Sequence, residues 1–572
     1  VGPIWLFIPI HPLLEGYSDM SQSQPGSAFQ ELTQRLVQEF WNFYPTSGAR
    51  IGRHEYDGRL PDLSPVSVRR RVEQVEQAMS FLDAAGSGGE KSDDWLSLQL
   101  LKLFFKREHF SLTELKPLEN NPMRQVGYLN VGGYLLRDYA PLADRLRSAT
   151  QVMQRVPAFL DTLTAALGDA IGRPVLEMSI EAYTGMARFY RRDLAQAAAE
   201  SGDGTVSPEF NDARESAASA LDRFVTELES RLSRATPEFA IGSKLYSAML
   251  ETGEGLDVPL AQVEKLGQAD LERNLEQLAQ VAESISPGRG VAEVVAQVSG
   301  SHPSAERLLP ETRDMLEDIR QFLLDLDLIT IPSEDRCQVV ETPAYMRYAF
   351  AAMDSAGALE TKATESFYYV TPVEPDWTAQ QQEEWLSNFN YDTLRMVSVH
   401  EVYPGHFVHH LHNRYGRDLP LANRVAVSYA FTEGWAHYTE QMMVETDYGA
   451  GQPALHLTQL LEALVRNCRF LCSIWMHTQE MTVDDATEFF MDKAFMGELP
   501  ARREAMRGTF DPGYLSYTLG KLMILKLRED FQREQGAAYT LKGFHDRLLS
   551  YGAPPVPLLR QMMLRKPGDS AI

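Results

Sequence analysis

One segment, VPLAQVEKLGQADLERNLEQLAQVAESISPG (residues 258–288), constrains the fold of this chain more than any other. Leu271, Leu275, Leu278, Ala282 and Ile285 recur at spacings of three and four, which lines one face of an α-helix with apolar side chains. Pro259 suits the first turn, and Pro287-Gly288 ends the run. AFQELTQRLVQEFWNFYP repeats the pattern with Phe29, Leu32, Leu36, Val37 and Phe40 on a stripe that stops at Pro45. TVDDATEFFMDKAF offers Thr482 as an N-cap ahead of acidic residues, and YLSYTLGKLMILKLREDFQRE reads as another long amphipathic helix. β signal is scarce. In ESFYYVTPV, Phe367 to Val370 are aromatic or β-branched and Pro372 closes the run, while LDLITIPSED holds a shorter candidate. Breaks around 86–92, 201–207 and 286–304 read as loops. The expectation is a mainly α protein, one large helical body in two lobes with a small sheet or hairpin. Residues 1–25 form an extension ahead of a single domain over 26–566, with a helical lobe over about 26–330 and a second half over about 331–566.

Charge narrows the partners. Among 572 residues, 54 Lys and Arg face 79 Asp and Glu, a net charge of −25, and no basic run forms a patch. Nucleic acid and anionic membrane are therefore poor partners. Three cysteines, Cys337, Cys468 and Cys472, are too few for a disulfide framework and are expected as small buried apolar residues. The N-terminal apolar run is interrupted by Pro3 and Pro9, lacks a basic flank and a small-x-small site, and is too short to span a bilayer. No cysteine precedes Cys337 to carry a lipid. These features lead to the expectation of a cytoplasmic protein without a membrane span, with Met20 as an alternative start.

The chemistry concentrates in HEVYPGHFVHHLH, His400 to His412. On a helix, His-Glu-x-x-His places two imidazoles about 400° apart, on one face, with the glutamate beside a metal-bound water. His400-Glu401 begins this pattern, but position 404 is proline, and His406 lies about 240° round an ideal helix from His400. Pro404-Gly405 breaks helices, and a two-residue bulge there could absorb the extra rotation and bring His406 back beside His400. The alternative pair His406 and His410 lacks a built-in base. His409 and His412 project from other faces and are expected at the surface or behind the ligands.

A third ligand lies in SYAFTEGWAHYTEQMM, a helical segment with Phe431, Trp435, Tyr438 and Met442 on its apolar side. Glu433, 27 residues after His406, completes a set of two histidines and one carboxylate with a position open for water. The bland alternative is a solvated helix acid. His437, one turn on, could be a ligand, a transition-state donor or a partner behind the ligands, the last being preferred. In DPGYLSYTLGKLMILKLRED, Tyr517 is the chosen candidate to donate a hydrogen bond to a developing oxyanion, against the reading of a core tyrosine. Lys521 or Arg528 could hold a substrate carboxylate. FYYVTPV could offer a sheet edge to an extended peptide, with a structural hairpin as the equal alternative.

HEVYPGH followed by FTEGWAHYTE resembles the DUF885 family of mostly helical bacterial metallopeptidase-like proteins, with its His-Glu-x-x-Pro-Gly-His and Glu-Gly-Trp-Ala motifs. The likeness extends through VPLAQVEKLGQADLERNLEQL, ESFYYVTPV, DPGYLSYTLGKLMILKLRED and FHDRLLSYGAPPVPLLRQMM. The family is distantly similar to helical, cleft-containing zinc peptidases of the neurolysin and carboxypeptidase Taq groups. The resemblance implies a central cleft, His400, His406 and Glu433 as Zn²⁺ ligands, and Glu401 as general base. Phe407 stands where the family commonly has a second histidine, and His437 where it often has leucine. The leading expectation is a zinc-dependent peptidase acting on short or unfolded peptides. Its competitors are a metal-dependent hydrolase of a non-peptide amide or ester, and a helical metal- or peptide-binding protein without activity.

Overall fold

A computed structural model describes residues 25–572 apart from 87–88, 90, 201–205, 299–300, 344–350, 375–376 and 569. Residues 1–24, most of the expected extension, lie outside the described residues. The segment singled out by its periodicity is a helix over Leu260–Ile285, with Val263, Gly267, Leu271, Leu278 and Ala282 buried. It packs on the helix Pro453–Thr478. Gly267 makes that approach possible, since a Cβ there would lie 2.3 Å from the Phe470 ring. Thr482 caps the helix Val483–Lys493 in a reciprocal box with Asp485.

Apolar side chains form two cores. One gathers the helices Leu142–Ala166, Arg173–Arg188 and Pro208–Arg231. The larger one joins Pro25–Phe43, Leu260–Ile285 and every helix that carries a candidate site residue. Among the described residues the protein is thus mainly α, with one small mixed sheet of three strands.

That sheet has β1 at Gln338–Glu341, β2 at Ala351–Asp354 and β3 at Phe367–Val370, in the order β1-β3-β2. β3 falls where the aromatic run indicates, but it is the central strand, parallel to β1 and antiparallel to β2. The edge expected of FYYVTPV therefore belongs to its neighbours. Tyr368, Tyr369 and Val370 are buried in succession, as a strand covered on both faces requires.

LDLITIPSED forms no strand. Its backbone groups are taken by side chains instead: Asp546 accepts from Thr330 N–H, while His412 Nε2 and His545 Nδ1 meet the carbonyls of Thr330 and Leu328. The 286–304 stretch is likewise more than a loop, since Val291–Val298 is a helix that buries Val294. Among the described residues no helix is long and apolar enough to cross a membrane.

Candidate metal centre

The helix Tyr391–Glu401, capped by the Asn390 side chain on Thr393 N–H, carries His400 and Glu401 in its last turn. The chain then leaves the helix at Val402–Gly405 and starts a new one at His406–Tyr415. The hydrogen bonds show how the two extra residues are absorbed. Gly405 N–H reaches the Val399 carbonyl and Val408 N–H reaches Val402, both six residues back instead of four. Pro404, after a cis peptide bond, has no N–H to place. Gly405 has no substitute here, because a Cβ would lie 1.7 Å from the His400 carbonyl oxygen.

Trp435 completes the bulge. Its indole N–H donates to the carbonyls of both Pro404 and Gly405, at 3.1 and 3.3 Å, so two buried acceptors freed by the break are satisfied. Trp435 belongs to the helix Tyr429–Glu445, which also carries Glu433. The N-terminus of that helix is fixed by Ser428 and by Glu254, which accepts from Ala430 N–H at 3.1 Å. Gly434 lies against Gly520 of the helix Ser516–Gln535, and a Cβ on Gly434 would stand 2.4 Å from the Gly520 backbone. This close crossing brings Tyr517 beside the Glu433 helix. The glycine and tryptophan of Glu-Gly-Trp-Ala thus do separate jobs.

Three candidate ligands converge. His400 Nε2 and His406 Nε2 each lie 3.6 Å from Glu433 Oε2, and the three ligand atoms all lie within 4.8 Å of one another. Ligands about 2.1 Å from a tetrahedral zinc stand about 3.4 Å apart, so the donor set fits the ion. The rings of His400 and His406 meet edge to face with centroids 4.9 Å apart. Burial opposes charge on Glu433, yet its contacts with His400 and His406 outweigh burial and hold the carboxyl well below its usual range.

Behind the ligands sits a residue that sequence reasoning missed. Glu440 Oε1 takes His400 Nδ1 at 2.7 Å, which directs Nε2 toward Glu433. Its carboxylate also meets Arg466 Nη2 at 3.2 Å and His437 Nδ1 at 3.3 Å. Burial raises the Glu440 pKa, but Arg466 and His437 overcome it and keep the group ionised. The signal was available, since Glu440 follows Glu433 by seven residues and so shares its helix face.

His437, fully buried, leans on this carboxylate, and burial first of all lowers its pKa to about 3. Glu401 Oε2 accepts from the Met353 N–H of β2, an outer strand among the described residues, at 3.0 Å. Tyr517 lies over the His400 ring, centroids 6.4 Å apart, and burial followed by the Glu433 charge raises its phenol pKa.

Other candidates fall away from the centre. Lys521 is wholly buried against Asp270 at 2.9 Å, and Arg528 pairs with Glu445 and the Tyr438 hydroxyl, so neither is free for a substrate. His409 and His412 are buried core residues, held by the carbonyls of Gly552 and Thr330, not surface groups. Their partners lie 143 and 82 residues away in sequence, which local spacing does not reveal. All three cysteines are free and buried.

Residues 45–563 match the family model described as bacterial protein of unknown function, DUF885. A solved structure described as a putative lipoprotein of unknown function from Shewanella oneidensis is 23% identical, with a TM-score of 0.78, covering 94% of this chain and 100% of that one. A putative lipoprotein from Colwellia psychrerythraea is 16% identical, with a TM-score of 0.76, covering 94% and 98% respectively. At these identities the likeness concerns the fold. No match was found among curated proteins.

Proposed function

The chain belongs to the DUF885 family, and we propose that it is a zinc-dependent metallopeptidase that hydrolyses short or unfolded peptides. One observation carries the reading: two separate motifs bring His400, His406 and Glu433 together, with Glu440 behind His400. Two imidazoles and a carboxylate suit zinc and leave a coordination position free. When bound, zinc supplies a Lewis acid that polarises a carbonyl and acidifies water.

The remaining work falls to the protein's own side chains. Glu401 is the general base, taking a proton from the attacking water and passing it to the leaving amine. Its bond to Met353 N–H keeps the carboxylate at the outer edge of the sheet. That edge supports a peptide substrate, because an extended chain can align along an outer strand through main-chain hydrogen bonds. Tyr517, kept protonated by its raised pKa, donates a hydrogen bond to the oxyanion as it forms.

The test measures zinc content and peptide cleavage before and after chelation, in the parent and in Glu401→Gln. We expect bound zinc in both, activity lost on chelation and restored by zinc, and a fall of about 10²- to 10⁴-fold in the variant. Full turnover by Glu401→Gln would overturn its role. Cleavage of acylated amino acids or esters with peptides untouched would assign the centre to another hydrolase.

A further inference from the structure

Tyr429 precedes Glu433 by one helical turn, so both side chains leave the same face of their helix. The Tyr429 hydroxyl accepts from Arg507 Nη2 at 3.1 Å. Arg507 also lies over the Tyr517 ring, its guanidinium carbon 5.8 Å from the ring centroid. A continuous wall therefore runs from the ligand Glu433 through Tyr429 and Tyr517 to Arg507.

Two further arginines, Arg466 and Arg469, face the same ring at 6.0 and 5.1 Å. Both pair at close range with carboxylates. Arg469 makes two 2.7 Å bonds to Glu504, and Arg466 is buried between Glu440 and Glu462. Arg507 differs. Its bonds to its carboxylate partner Asp511 are 3.3 and 3.4 Å, well beyond the about 2.7–2.9 Å of a strong charge-assisted pair. Its side chain is 29% exposed, and those of His406 and Glu433 are 19% exposed. A planar cation with a loosely held partner, on the open wall of a metal centre, is suited to a carboxylate brought by the substrate.

We propose that Arg507, flanked by Tyr429 and Tyr517, binds the free α-carboxylate of the substrate, so that the enzyme releases the C-terminal residue of a peptide. The inference rests on the peptidase reading and adds the end of the chain that is attacked. A terminal carboxylate lies only three bonds from the carbonyl carbon of the last peptide bond. It must therefore land on the wall next to the ligands, where Tyr517 overlies His400. In the reaction the water oxygen bonds to that carbonyl carbon, the C–N bond breaks, and the amine leaves with a proton. The products are a shortened peptide and a free amino acid.

The test compares a peptide as its free acid and as its C-terminal amide, using zinc-loaded parent, Arg507→Met and Arg507→Lys, with zinc content measured in each. We expect the parent to remove the last residue of the acid and to favour acid over amide by about 30- to 100-fold in kcat/KM. Arg507→Met should bind zinc normally and lose that discrimination, while Arg507→Lys keeps part of it. Asp511→Asn, which releases Arg507 from its partner, should keep or sharpen the discrimination. Equal cleavage of acid and amide by the parent, or discrimination unchanged in Arg507→Met, overturns the inference and leaves the peptidase reading standing. If the zinc-loaded parent cleaves no peptide, acid or amide, both fall together.

Discussion

Replacing Glu440 by glutamine isolates the role of the carboxylate behind His400. The exchange keeps side-chain volume, so no cavity is opened in a position only 1% exposed. Oε1 serves His400 Nδ1 and Arg466, while Oε2 serves His437 Nδ1. The glutamine oxygen would keep the first pair, and its amide N–H₂ would turn toward His437. That ring can respond by moving its proton to Nε2, which has no partner in the structure, and so offer Nδ1 as an acceptor. What is lost is charge rather than hydrogen-bond count. Charge-assisted bonds are about twice as strong as neutral ones, so the bonds to His400 and Arg466 should weaken by about 1 kcal/mol each. Zinc affinity should fall about 10- to 100-fold, as for other partners of metal-bound histidines. Arg466 retains Glu462 at 2.5 Å, so the variant should remain folded. Competition against a chromogenic chelator at fixed pH gives the affinity, with turnover measured at saturating zinc. Affinity within about threefold of the parent would refute the view that this carboxylate orients the ligand, since second-sphere losses are about tenfold or more.

Other perturbations follow from the same geometry. Gly405→Ala forces a methyl group onto the His400 carbonyl, and should abolish high-affinity zinc binding while leaving the helical circular dichroism of the distant core intact; normal metal content would contradict the close approach. Gly434→Ala must push the Gly520 helix away, and should cost about 1–3 kcal/mol of stability in urea melts, as overpacking does, and lower turnover by shifting Tyr517. Tyr517→Phe should bind zinc normally and lose about 10²- to 10³-fold in kcat; unchanged kcat would remove it from the reaction. His477 and His545, both buried and bound to backbone carbonyls, have pKa values lowered to about 4 and about 3, chiefly by burial. Each is neutral in the folded state but protonated in the unfolded state below about pH 6.5. Their stabilisation is complete above that pH and is lost as pH falls, by up to about 1.4 kcal/mol per unit per histidine. Urea melts between pH 7 and pH 5 should show this slope, and His477→Gln should reduce it.

Much of this architecture is written in local pattern. The 3.6-residue period located the Leu260–Ile285 helix, the capping residue located the start of the helix after Thr482, and a run of aromatic and β-branched residues located β3. Spacing alone raised the idea of a two-residue bulge, because His400 and His406 could not share a face otherwise. The losses come where long-range partners decide. LDLITIPSED has strand propensity, but Asp546, His412 and His545 take its backbone groups before another strand can. FYYVTPV looked like an edge because a sequence does not say how many neighbours a strand acquires. Lys521 is a candidate for a substrate carboxylate by sequence, but Asp270, 251 residues away, takes its ammonium group. Glu440 lies beyond the Glu-Gly-Trp-Ala motif, and its role depends on His400 and Arg466 from other helices, although its helix face follows from spacing.

Why should the helix bearing His400 be broken at all, when an unbroken His-Glu-x-x-His turn would bring two histidines to one face? Helix dipoles do not supply the reason. Ending one helix at His400 and Glu401 points its negative end toward a bound cation, a benefit of about 0.3–1 kcal/mol. Starting the next at His406 presents a positive end of similar size, and the two nearly cancel. The gain lies in how many contacts the break creates. Pro404 and Gly405 expose two carbonyls inside the protein, and Trp435 can satisfy them only if the helix bearing Glu433 lies directly alongside. Gly434, its neighbour, then admits the helix that bears Tyr517. The break therefore couples the positions of all three ligands and of Tyr517 through one indole and one glycine contact. Trp435→Phe, which keeps an aromatic ring but strands both carbonyls, should accordingly weaken zinc binding although residue 435 is not a ligand. Each abandoned buried acceptor costs about 1–3 kcal/mol, more than the dipoles could restore. Unchanged zinc affinity in that variant would show that the bulge holds His406 in place without the indole.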